Sequence, residues 1–312
     1  MTSLAWLDRR LLFVTGKGGV GKSTVAAALG LRAARLGRRT VVAEIGGRGD
    51  LPRMFATGPA AAYGERELAP GLFTIDIDPR LALEEYLADQ LPLRALADLL
   101  GSSRTFAYLT AATPGLPELL CMGKVWELAQ RRRRTAAAQP YDLVILDAPA
   151  TGHAIALLAA PQTFTRAAQV GPIARQAGRI AATLADPRLT SVVAVCTPQE
   201  PAVTETLETR RRVADELGLD PGRVVVNTVR PRRFAPRDRA ALGRALAVER
   251  TPAERQALEL AVAEEHRIRL QGIQIARLRR SLDERPVELP FLPTGAIGVD
   301  ELERLGQHLE AW

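Results

Sequence analysis

Lysine is almost missing from this chain. Of 42 basic residues among 312, three are lysines (Lys17, Lys22 and Lys124) and the other 39 are arginines. Beside abundant alanine, that imbalance reads as a codon bias. It discounts the net charge of +7 as a nucleic-acid signal, and nucleic acid is not an expected partner. The arginines are scattered among acids except at Arg131 to Arg134, a run that reads as a solvated helix end or, more sharply, as a surface for an acidic partner. Cysteine is rarer still. Two residues, Cys121 and Cys196, exclude a disulfide framework and favour a reducing compartment. Aromatic residues make up 4%, so a core must be built from Ala, Leu and Val. Long apolar runs are lacking as well. The longest charge-free stretch, Ala148 to Thr165, holds Pro149, Gly152, His153 and Pro161 and cannot serve as a membrane helix. Met1 to Arg10 carries Asp8, Arg9 and Arg10 where a signal peptide needs an unbroken apolar stretch, so a cytoplasmic location is expected.

What is present is globular: 47% hydrophobic and 25% charged residues. Short apolar runs at Leu11 to Thr15, Thr40 to Ile45, Tyr141 to Asp147, Ser191 to Thr197 and Arg223 to Asn227 read as buried parallel strands. Leu72 to Asp78 alternates and reads as a half-exposed edge strand, and Val287 to Leu292 as a last strand. Helical patterns cover Lys22 to Leu36, Thr163 to Ala185, Glu200 to Leu217 and Val299 to Leu309. The alternation predicts an α/β fold, a mostly parallel sheet with helices on both faces. No linker or repeat divides the chain, so residues 1–312 read as one domain with helical insertions at about 79–138 and 238–282.

Two segments carry chemistry. Gly16-Lys17-Gly18-Gly19-Val20-Gly21-Lys22-Ser23-Thr24 follows a predicted strand and opens a helix. It fits the phosphate-binding pattern, in which glycines turn backbone N–H groups inward and the helix N-terminus adds positive charge. Lys22 would bridge the outer phosphates of ATP, and the Ser23 hydroxyl would hold Mg²⁺. The second segment, Asp147-Ala148-Pro149-Ala150-Thr151-Gly152-His153, ends a predicted strand. Asp147 there can orient Mg²⁺ through water, and Thr151 and Gly152 can sense the γ-phosphate. His153 reads as structural ahead of catalytic.

Lys17, directly after the first glycine, marks the deviant Walker A class of P-loop NTPases. The acid followed four residues later by Thr-Gly-His closely resembles switch II of the ArsA-type family, the arsenite-pump and tail-anchored-protein targeting ATPases. Pro114-Gly115-Leu116 to Gly123-Lys124-Val125 is similar to the insertion of bacterial ArsA-like proteins. The resemblance implies an ATPase in which Lys17 reaches across a dimer interface to the partner's nucleotide. It implies a homodimer or a heterodimer with a paralogous chain, acting on a protein client or a membrane-protein partner. It further implies that Asn227 reads the adenine and that Pro290-Phe291-Leu292-Pro293 walls the base. The sequence departs from the family in two ways. Where the family presents a water-positioning Asp after its second strand, this chain has Gly46, with Glu44 and Asp50 nearby but out of register. The Cys-X-X-Cys pair for interfacial zinc and the arsenite-binding cysteine trio are both absent. Slow or partner-dependent hydrolysis is therefore expected, no zinc site is expected, and Cys121 reads as packing ahead of a soft-metal ligand.

Overall fold

The computed structural model describes residues 8–47, 49–58, 63–90, 103–134, 138–167, 171–235, 237–248 and 251–310. Strand β1 (Leu11–Thr15) leads into helix α1 (Lys22–Arg35), then β2 (Thr40–Ile45) and the short α2 (Asp50–Met54). A hairpin of β3 (Arg66–Ala69) and β4 (Leu72–Ile77) precedes α3 (Pro79–Gln90), α4 (Ser103–Ala112) and α5 (Leu116–Leu128). The chain continues through β5 (Leu143–Asp147), α6 (Thr151–Ala167), α7 (Pro172–Ala185), β6 (Thr190–Cys196) and α8 (Glu200–Asp215). It closes with β7 (Arg223–Val229), α9 (Asp238–Leu246), α10 (Pro252–Ser281), β8 (Val287–Pro290) and α11 (Val299–Glu310).

Among the described residues the strands form one eight-stranded sheet in the order β3-β4-β2-β5-β1-β6-β7-β8. Every pairing is parallel except β3 with β4. The central strands are buried along their whole length, which explains their unbroken apolar runs. Leu12, Val14, Val42 and Ile145 pack on one face against α1, α8, α10 and α11. Leu11, Phe13, Val41, Val144 and Leu146 pack on the other against α5, α6 and α7. The strand ends that matter lie side by side: Val14 pairs with Asp147, and Asp147 with Glu44. Their loops meet at the carboxyl edge of the sheet, where parallel folds place ligands.

Several expectations need correction. β4 is not an edge strand, because β3 pairs with its outer side. The true edge, Arg-Glu-Leu-Ala, is short and charged, as exposed edges often are, and so carries no strand pattern. The helix expected from Thr163 starts at Thr151 and runs through Pro161, and Gly171 separates it from α7. Part of the 79–138 stretch is core, since Leu119, Met122, Val125 and Leu128 of α5 are buried against the sheet. Residues 91–102 of that stretch lie outside the described residues. The 238–282 stretch is two helices, and α10 buries residues only from Ile268 onward. Arg133 is not solvated. Its side chain is fully buried between Glu65 and Glu127, because a guanidinium can satisfy two carboxylates at once. Among the described residues no helix is long and apolar enough to cross a membrane.

Candidate functional site

The loop between β1 and α1 leaves the first turn of α1 free for an anion. Its cap, Gly21, contributes no side chain, and no acidic residue occupies that turn. Gly21 sits at φ +89, and a Cβ there would collide with the Asn227 amide nitrogen, so only glycine fits. Gly18 and Gly19 border open space. The two lysines of the loop point to different surroundings. Lys22 is buried and its Nζ donates to the Lys17 carbonyl at 3.1 Å, curled across the loop. The Lys17 side chain is 46% exposed and forms an ion pair with Glu205 at 3.5 Å.

Acids approach the same loop from three directions. Asp147, fully buried at the end of β5, accepts the Ser23 hydroxyl at 2.6 Å, and Asp50 Oδ2 lies 3.4 Å from that hydroxyl. Glu44 is also buried, opposite Asp147 in the sheet. Burial pushes its carboxyl up to about 7, and the negative charges of Asp147 and Asp50 act in the same sense. The Asp50 N–H, donated to Glu44 at 3.0 Å, opposes that shift without cancelling it. Gly46 lies at φ +94, a conformation in which an aspartate side chain would be strained although open space surrounds the position. Glu44 and Asp50 flank it, and the structure brings both into the loop's neighbourhood even though the sequence register separates them.

The oxygens of Ser23, Asp50 and Asp147 converge on one spot. Among the described residues no group of three or more His, Cys, Asp or Glu forms a metal cage. This sparse donor set fits Mg²⁺, which is commonly bound by one or two protein oxygens plus phosphates and water.

Thr151 opens α6 and donates its hydroxyl to Glu205 Oε1 at 2.7 Å. Gly152 and His153 are exposed on the same turn. Glu205 escaped the sequence reading. It is one of several acids along α8, and nothing in the pattern distinguishes it from a solvated helix residue.

Asn227 sits at an irregularity in the β7–β8 register, beside Thr228 at φ +60. A bulge of this kind re-aims a side chain. Here Asn227 Nδ2 donates to the Val20 carbonyl at 3.0 Å, and its Oδ1 accepts the Thr228 N–H at 2.9 Å. The residue thus clamps the phosphate loop to β7, with one amide N–H left over. Phe291 follows β8, its N–H bound to the Val229 carbonyl, and the Arg230 guanidinium lies 4.2 Å from its ring centre. Gln271 of α10 holds the Arg230 backbone through both its N–H and its carbonyl. Arg230 and Gln271 were not visible as site residues in the sequence. The two cysteines are buried, and burial pushes each thiol up to about 12.

Comparison with known proteins identifies the family. The family profile described as anion-transporting ATPase matches residues 9–170. ATPase BagA of Mycobacterium tuberculosis is 31% identical over 248 residues, covering 77% of this chain and 72% of its own. The arsenical pump-driving ATPase of Escherichia coli is 27% identical over 311 residues, 94% of this chain and 48% of its own. ATPase GET3 of Chaetomium globosum is 27% identical over 266 residues, 71% of this chain and 74% of its own. The chain belongs to the anion-transporting (ArsA-type) ATPase family and is itself an ATPase.

Proposed function

We propose that the chain binds ATP with Mg²⁺ and works as a nucleotide-gated dimer, its second half being a second copy or a paralogous chain. The observation that carries this reading is the split between the two loop lysines. Lys22 is buried against the loop, where it can neutralise phosphates bound by its own chain. Lys17 is exposed and held by a half-exposed ion pair with Glu205. A cation so held is available to a second nucleotide site, as a finger supplied in trans is where transition-state charge accumulates.

Within one chain, Gly16 to Thr24 would cradle the phosphates and Ser23 and Asp147 would hold the cation. Mg²⁺, when bound, would neutralise charge on the outer phosphates. Glu44 and Asp50 would take over the orienting of water where Gly46 stands in place of an aspartate, a substitution that favours slow turnover. Asn227 and Phe291 would border the adenine. Nucleotide state would pass through Thr151 to Gly152 and His153 and on to the helices that meet a protein client or membrane partner. A metalloid-pump role finds no support in thiols buried and shifted away from the reactive thiolate.

Sedimentation equilibrium with a non-hydrolysable ATP analogue and Mg²⁺ tests the assembly. A dimer that needs both additions is expected. A monomer under the same conditions, alone and with any paralogue, would remove the dimer from the account.

A further inference from the structure

We propose that Glu205 is a positioning residue that stores Lys17 at its own loop and ties its release to the state of Thr151. This rests on the reading of Lys17 as a residue that acts on a partner's nucleotide. The geometry divides one carboxylate between two groups: Oε1 accepts the Thr151 hydroxyl at 2.7 Å, and Oε2 faces the Lys17 ammonium at 3.5 Å. The mount is rigid. Around Glu205, Ala202, Val203 and Thr206 of α8 are buried, and the Thr209 hydroxyl holds the Glu205 carbonyl at 2.7 Å. The carboxylate thus sits on a packed helix and touches both the phosphate loop and the start of α6.

The two contacts differ in kind. Thr151 is buried, and its part-buried hydroxyl bond fixes the carboxylate rotamer. The Lys17–Glu205 pair is half-exposed, so water replaces it at small cost and the lysine is held without being trapped. When the Thr151 hydroxyl turns to a phosphate, the carboxylate loses the donor that orients it, and the ammonium loses a preformed partner. Coupling of this sort is reciprocal: whatever draws Lys17 away also loosens Thr151. A single side chain would then keep the trans-acting cation at home until nucleotide engages the switch.

The scarcity of lysine makes a direct test practical. Lys22 and Lys124 are buried, which leaves Lys17 as the exposed lysine of the three. Trace acylation of the nucleotide-free protein, read by peptide mass spectrometry, reports Lys17 against the two buried lysines as internal references. An ammonium held by a carboxylate acylates more slowly than one in water. Glu205→Gln should raise Lys17 labelling about twofold to fivefold, the range for a half-exposed pair. Thr151→Val should raise it in the same direction by less, with Lys22 and Lys124 unchanged. In sedimentation, Glu205→Gln should also lower the analogue concentration at which dimers form, and this shift should vanish when Lys17 is alanine.

Unchanged labelling in both variants would overturn the proposal. So would a dimerisation shift of equal size with and without Lys17, which would mark Glu205 as merely structural. The labelling needs neither turnover nor dimers. A failure of the dimer reading would therefore show separately, as a chain that stays monomeric at every analogue concentration.

Discussion

Two regions of this molecule bury carboxylates beside a lysine, and they differ in how the charges are matched. In the first, Lys124 contacts Glu85 at 2.8 Å and Glu127 at 3.3 Å, while Arg133 contacts Glu127 at 2.8 Å and Glu65 at 2.5 Å. Tyr63 donates to Glu85 and Tyr141 to Glu65, so all six carboxylate oxygens have a donor. Burial is the largest single influence and would raise Glu65 and Glu127, but the Arg133 hydrogen bonds, the other donors and the charges of Arg133 and Lys124 together outweigh it and hold both below the usual carboxylate range. In the second, at the strand ends, burial pushes Glu44 up to about 7, and the facing carboxylates of Asp147 and Asp50 add to that in smaller measure. Matched charges tie α3, α5 and the approach to β3 together and build scaffold. Acids gathered against one another beside the phosphate-binding loop mark the place where, in the proposed reading, a cation would arrive with its ligand.

The largest effect that would sharpen this contrast belongs to the scaffold. Arg133→Ala leaves the buried Glu127 without its guanidinium, strips the partly exposed Glu65 of the same partner, and should cost about 3–5 kcal/mol of stability by chemical denaturation. Turnover per folded molecule should stay close to wild type. At the site the pattern inverts. Lys22→Ala should lower ATP turnover by roughly 10²–10³-fold, the worth of one cation at developing phosphate charge, with little change in the denaturation midpoint. A large stability loss in Lys22→Ala would break the distinction between the two regions.

The pH dependence of stability carries opposite signs in the two places. Glu44 has a folded value raised above the unfolded one, so the native state holds an extra proton between about 4.5 and about 7. Its contribution to stability is therefore lost as pH rises through that window. Glu44→Gln should remove this slope, on the order of 3 kcal/mol, in nucleotide-free denaturation curves. Glu65 and Glu127 are lowered, so their contribution is present above the usual carboxylate pKa and disappears as pH falls below it. The smallest effect concerns the thiols. Native protein should take up almost no thiol reagent at Cys121 or Cys196, and both should react once it is unfolded.

The strands of the parallel core were legible because burial on both faces writes them as apolar runs, as at Leu11–Thr15 and Thr190–Cys196. The phosphate loop was legible because its chemistry needs glycines and a lysine at fixed spacing. What stayed hidden was set by tertiary pairing. β3 is named by its partner β4 rather than by its own residues. Arg133 belongs to a run of four arginines, and only the folded positions of Glu65 and Glu127 distinguish it from its neighbours. The helix start at Thr151 was masked by Pro149, Gly152 and Pro161, which read as breakers although α6 accommodates Pro161 internally. Glu205 reaches Lys17 across 188 positions of sequence, a meeting no local pattern encodes.

The most direct test of the account is complementation between two defective chains. Lys17→Ala and Lys22→Ala are each assayed alone for steady-state ATP turnover with Mg²⁺, and then mixed in equal amounts. If Lys17 acts in trans between two copies, each variant alone is nearly inactive. The mixture then recovers about a quarter of wild-type turnover, because half the dimers are mixed and each of these has one complete site. A Lys17→Ala chain that turns over ATP at the wild-type rate by itself, with nothing gained on mixing, would contradict it.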